Sequence, residues 1–172
     1  MKQVKWFERK FNFTTNQNIM PSIIERLDGT SIRLEFKLKS VSSKILTTKI
    51  EDTWTIKENV GHLIDLEPLW QGRLEDIVNG LKELRTTDLL NTKTNTANHN
   101  KVAIEDLLNR FKQIRQQTVK RLEGLTEEET IKSALHPRLK TPMRTIDLFT
   151  FVAEHDDHHL ARITEIIRLV KK

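Results

Sequence analysis

Two histidines stand four residues apart near the end of the chain, in the segment Glu154-His155-Asp156-Asp157-His158-His159. On a helix, side chains at i and i+4 project the same way one turn apart, so both imidazoles can reach a single metal ion. Both positions fall on the stripe Leu148, Val152, His155, His159, Ile163, Ile166 and Val170, whose steps of three and four turn it inward. Two stacked imidazoles on an apolar stripe each need a polar partner and resist protonation together. The alternative is a pair of satisfied core histidines. The order His155-Asp156-x-x-His159 puts an acid where helical zinc proteases carry Glu. Asp is one methylene shorter, however, and only thirteen residues follow His159, which argues against that class.

A third ligand must come from upstream, and His62 is the best candidate. It lies beside the apolar face of a predicted helix, in line with Leu66 and Leu69. Two imidazoles from one helix and one from another leave coordination positions open, which marks a catalytic metal more than a structural one. With no Cys in the chain, disulfides, thiolate zinc sites and a cysteine nucleophile are all excluded. His158 points about 100° away from His159 around the helix, toward the surface or behind the ligands. His99 and His136 read as loop residues. Asp65, one turn from His62, and Asp156 are candidate carboxylates for orienting imidazoles, with a solvent-facing role as the alternative.

The elements that must position these groups are helical. Pro21 suits the first turn of a helix carrying Ile23, Ile24 and Leu27; Asp28-Gly29 is expected to break it, and a further helix follows over about 30–39, where the alternation of Ile32, Leu34, Phe36 and Leu38 also permits a strand. Thr55 and Glu58 have the spacing of a capping box. After them Ile56, Val60, Leu63, Trp70, Leu74, Ile77 and Leu81 mark one face, with a kink or new turn expected at Pro68 and an end near Gly80. Residues 86–101 form a long Thr- and Asn-rich loop. We expect it to border the open side of the site, with Asn95, Asn98 and His99 offering hydrogen bonds to a substrate. Another helix spans about 103–123 and stops at Gly124. Thr126 and Glu129 repeat the capping-box spacing, and the last helix starts near Thr145. No strand is evident. The expectation is an all-α four-helix bundle, up-down in its simplest form, with connections long enough for a non-sequential order. Residues 1–20 read as an aromatic-bearing arm on a single domain over 21–172.

With 172 residues, 37% hydrophobic and 31% charged, the chain suits one soluble domain. The N-terminus lacks the apolar core of a signal peptide, and no apolar run reaches 18 residues, so the expected location is the cytoplasm. The net charge of +5 raises a nucleic-acid surface. Its densest basic stretch, Arg110, Lys112, Arg115, Lys120 and Arg121, scatters around one helix and reads as solvated surface, so nucleic-acid binding is the weaker reading.

The segments Trp54-Thr55-Ile56-Lys57-Glu58-Asn59-Val60-Gly61-His62-Leu63 and Glu154-His155-Asp156-Asp157-His158-His159-Leu160-Ala161-Arg162-Ile163 resemble the second-helix and last-helix motifs of the DinB-like (YfiT-like) metalloenzymes. The resemblance covers about 21–169. It implies a four-helix bundle of unusual connectivity, often dimeric. It also implies one divalent ion, zinc or nickel, on His62, His155 and His159. Relatives of that kind include thiol-dependent enzymes such as bacillithiol S-transferases and mycothiol-dependent isomerases. The reading that follows is a metal-dependent enzyme for a small molecule, a thiol S-transferase or a hydrolase, with a low-molecular-weight thiol as possible cosubstrate. The alternatives are a non-catalytic metal-binding or stress-response protein and, behind it, a nucleic-acid binder.

Overall fold

The computed structural model describes residues 3–13 and 17–170. Helices α1 (Met20–Leu38), α3 (Ile56–Val78), α5 (Ile104–Glu123) and α7 (Thr145–Val170) form the body; α2 (Ser43–Thr47), α4 (Thr92–Thr96) and α6 (Glu127–Ile131) are single turns in the connections. α1 packs against α5 and α7, and so does α3. The order around the bundle is therefore α1, α5, α3, α7, and the first two long helices face each other across the diagonal. A plain up-down bundle would pair them as neighbours. The long connections permit the non-sequential order.

Local signals set the start of α6 and both ends of α3. Thr55 accepts from the Glu58 amide while Glu58 accepts from the Thr55 amide, and Thr126 and Glu129 do the same for α6. α3 ends with Gly80 at φ +72°, Gly80 N–H bonded to Ile77 C=O and Leu81 N–H to Asp76 C=O. That Schellman pair closes the helix before Leu81, which is exposed and off the buried face.

Two expectations about the elements need correcting. Asp28-Gly29 does not break α1, because Ile23, Leu27, Thr30, Leu34 and Leu38 stay buried at helical spacing on both sides of it. Packing of that stripe outweighs the roughly 1 kcal/mol that a mid-helix glycine costs. Pro68 lies inside α3, which runs on past it to Val78. It lies on the exposed side, where water can satisfy the carbonyl that lost its donor. Finally, β1 (Ser133–Leu135) and β2 (Pro142–Arg144) pair as an antiparallel hairpin whose first strand also bonds the chain at 82–84. Strands of three residues are too short to show alternation in sequence.

The arm packs onto the body through aromatic rings: Trp6 meets Phe11 at 5.2 Å and Phe151 at 4.9 Å between centroids. Arg115, read from sequence as solvated, is instead fully buried. Its guanidinium joins Glu67 of α3 and Asp156 of α7; Asp156 also accepts from Thr30 of α1, and Glu67 from Thr118 of α5. One ion cluster thereby ties all four long helices. Burial raises the Glu67 carboxyl above its ordinary value despite the neighbouring Arg115.

Candidate metal centre

α3 and α7 bring His62, His155 and His159 together, all buried, with one ring nitrogen from each lying within 4.8 Å of the others. Ring centroids are 4.5 Å apart for His155 and His159, 4.9 Å for His62 and His159, and 5.2 Å for His62 and His155.

Hydrogen bonds set the tautomers of two rings. Asn59, three residues before His62, donates its amide to the carbonyls of Trp54 and Thr55. Its Oδ1 is thus turned to His159 Nδ1, 2.8 Å away, and accepts the proton there. Thr94 stands 3.1 Å from His62 Nδ1 and donates its single hydroxyl proton to Asp65 Oδ2 at 2.9 Å. Its oxygen must therefore accept from His62 Nδ1–H. Both rings keep a bare Nε2. His155 Nε2 lies 3.2 Å from His159 Nε2, while His155 Nδ1 is buried without a partner among the described residues.

Burial pushes His62 down to about 4 and holds His155 and His159 well below the ordinary imidazole range; the neighbouring rings add to the effect. All three are neutral at pH 7, the form that binds metal. The 3.2 Å between two ring nitrogens also suits an ion with Zn–N bonds of about 2.0–2.1 Å, for which tetrahedral ligands stand about 3.3 Å apart. The donor set fits a divalent cation.

Aromatic rings enclose the cluster. Trp54 lies 4.5 Å from His62, and Trp6 presents an edge to His155 at 4.9 Å. The cluster forms part of the wall of a cavity of about 290 Å³, to which the loop contributes Thr87, Asp88, Leu89 and Asn91. Phe7 and Leu89, both more than half exposed, also line it.

The other sequence candidates divide. Asp65 touches no ligating ring directly but reaches His62 through Thr94, and it bonds His99 Nε2 at 2.8 Å. Burial alone would raise its carboxyl; the hydrogen bonds from His99 and Thr94 and the charges nearby outweigh that and hold it low. Asp156 bonds Arg115 and Thr30 instead of a ligating ring. His158 lines the cavity and packs against Trp6 and His159. The loop borders the cavity, but through residues other than those named from sequence. Asn95 accepts from Trp54 Nε1, exposed Asn98 bonds Thr96 C=O, and His99 is buried against Gly61. None of the three lines the cavity.

Sequence reasoning gave no site role to Asn59, Thr94, Trp54 and Arg73, and read His136, which lines the cavity, as a loop residue. Two of these carried a signal. Asn59 precedes His62 by three residues, and Arg73 continues the line His62, Leu66, Leu69 in steps of four, three and four. Thr94 and Trp54 carried none, because only the folded loop brings them to His62.

A four-helix bundle with a buried three-imidazole cluster defines a class, and the sequence comparisons agree with it. The chain belongs to the DinB superfamily, whose family model matches residues 26–163. Among solved structures it is similar to YfiT from Bacillus subtilis, described as a probable metal-dependent hydrolase with an unusual four-helix bundle topology. The two share 19% identity over 95% of this chain and 94% of that one, with a TM-score of 0.83. A comparison with curated proteins returns no match.

Proposed function

We propose that this protein is a metal-dependent enzyme acting on a small molecule, with one divalent ion held by His62, His155 and His159. The observation that carries this reading is the convergence of three neutral imidazoles on the wall of an aromatic cavity of about 290 Å³. That volume sits at the small end of ligand pockets. Nitrogen donors with positions left open suit zinc or nickel.

An ion there supplies Lewis-acid activation of a thiol or a water near neutral pH. The chain's own residues prepare for it. Asn59 and Thr94 turn the bare Nε2 atoms of His159 and His62 into the cluster. Trp6, Trp54 and Trp70 keep the site apolar, which strengthens its preference for an anionic nucleophile. With no Cys in the chain, a thiolate must come from a cosubstrate. S-transfer from a low-molecular-weight thiol is the first reading and hydrolysis the second; YfiT's description favours the latter.

Elemental analysis of protein purified without a histidine tag tests the metal, with His155→Ala as control. The expected result is about one divalent ion per chain, lost in the folded variant. Metal-loaded protein is then assayed with several thiols and a chlorinated nitroarene, and with esters and amides. Equal rates for wild type and His155→Ala across both sets would remove the enzymatic reading.

A further inference from the structure

Three turns beyond His62 on α3, Arg73 lines the same cavity while only 1% exposed. Its Nε donates to Arg85 C=O at 3.1 Å, and its Nη1 lies 3.1 Å from His136 Nε2. Its Nη2 is buried and has no partner among the described residues. The nearby carboxylate, Asp76, is already taken by the side chain and amide of Arg85. His136 cannot compensate: its ring is neutral at pH 7 and faces N–H donors on both nitrogens, Arg73 at Nε2 and the amides of Arg138 and Leu139 at Nδ1, so it brings no negative charge to the guanidinium. Arg138 brings a second cation to the cavity. Burial draws Arg73 down to about 10, which leaves it charged at pH 7. A buried guanidinium with Nη2 unbonded and no carboxylate bonded to it is costly unless an anion joins it; Asp76 acts on it only through space while bound to Arg85.

We infer that Arg73, with Arg138 lining the same cavity, is an anion subsite for a carboxylate on the small molecule that this cavity takes. The one unbonded guanidinium nitrogen, Nη2, suits a single carboxylate oxygen. A phosphate dianion would bring a second charge and further oxygens against Trp70 and Phe151. The inference extends the enzymatic reading by naming the ligand's charge, and it depends on neither metal nor reaction type.

All three tryptophans, Trp6, Trp54 and Trp70, line the cavity, so intrinsic fluorescence reports on its occupancy. The full chain, as purified and after chelator treatment, is titrated with benzoate, benzamide and inorganic phosphate. Benzoate should give a saturable change in both preparations, benzamide none over the same range, and phosphate a weaker one. Arg73→Gln should weaken benzoate at least tenfold, and Arg138→Gln several-fold. Should Arg73→Gln fail to fold, Arg73→Lys takes its place, keeping the charge but losing the fork. Equal binding of benzoate and benzamide, phosphate binding tighter than benzoate, benzoate binding confined to metal-loaded protein, or undiminished affinity in the folded Arg73 variant would each overturn the assignment. Metal content is measured separately, so a protein without metal leaves this test standing.

Discussion

The Thr94 hydroxyl lies 3.1 Å from His62 Nδ1 and passes that contact on to Asp65, 2.9 Å further. A residue of the Thr- and Asn-rich loop thereby sets which nitrogen of a helix-borne imidazole is free. Thr94→Val keeps the shape and removes both bonds. Metal affinity should fall by roughly 10–100-fold with the fold retained, and Thr94→Ser should restore it. Competition against a coloured chelator reads the change; equal affinities for Val and Thr would dismiss the relay.

Gly61 shows what holds that loop in place. A Cβ at this position would overlap the ring of His99, which anchors the loop to Asp65. Gly61→Ala should gain about 1 kcal/mol of helix propensity yet undock residues 92–101. Limited proteolysis should find faster cleavage there, with metal affinity lowered in step.

The cluster on Arg115 predicts a contrast in stability. Arg115→Met leaves Glu67 and Asp156 buried without their counter-charge and should cost about 3–5 kcal/mol in urea unfolding. Arg121→Met breaks a half-exposed pair with Glu75 and should cost under about 1 kcal/mol. Similar losses in the two variants would contradict the placement of Arg115.

Burial, with Arg73 and Arg138 nearby, pushes His136 down to about 4. The unfolded chain therefore binds a proton that the folded chain refuses between about pH 6.5 and pH 4. The stability that His136 contributes is present above pH 6.5 and drains away as pH falls through that window. His136→Gln should remove roughly 1–3 kcal/mol of the wild type's loss between pH 7 and pH 4. Urea midpoints of both proteins at the two pH values give the difference; parallel slopes would show that His136 is neutral to folding.

What the chain alone determined is local or periodic. Capping-box spacing set the starts of α3 and α6, the stripe on α7 turned His155 and His159 inward, and the absence of Cys confined any metal to nitrogen and oxygen donors. The flank of the capped helix offered His62 as the upstream candidate, the motif resemblance pointed to the same residue, and the fold brought it to the other two. The tertiary structure decided everything that depends on which surfaces meet. Arg115 looked like one more surface cation until α5 was set against Glu67 and Asp156. Asp156 looked able to orient an imidazole until the same contact claimed it. Asp28-Gly29 reads as a break by propensity, yet the buried stripe of α1 runs through it. Propensity and spacing act over a few residues. The partner that fixes a tautomer, leaves Nη2 of Arg73 unbonded or seats His99 on Gly61 comes from further along the chain, and only packing selects it.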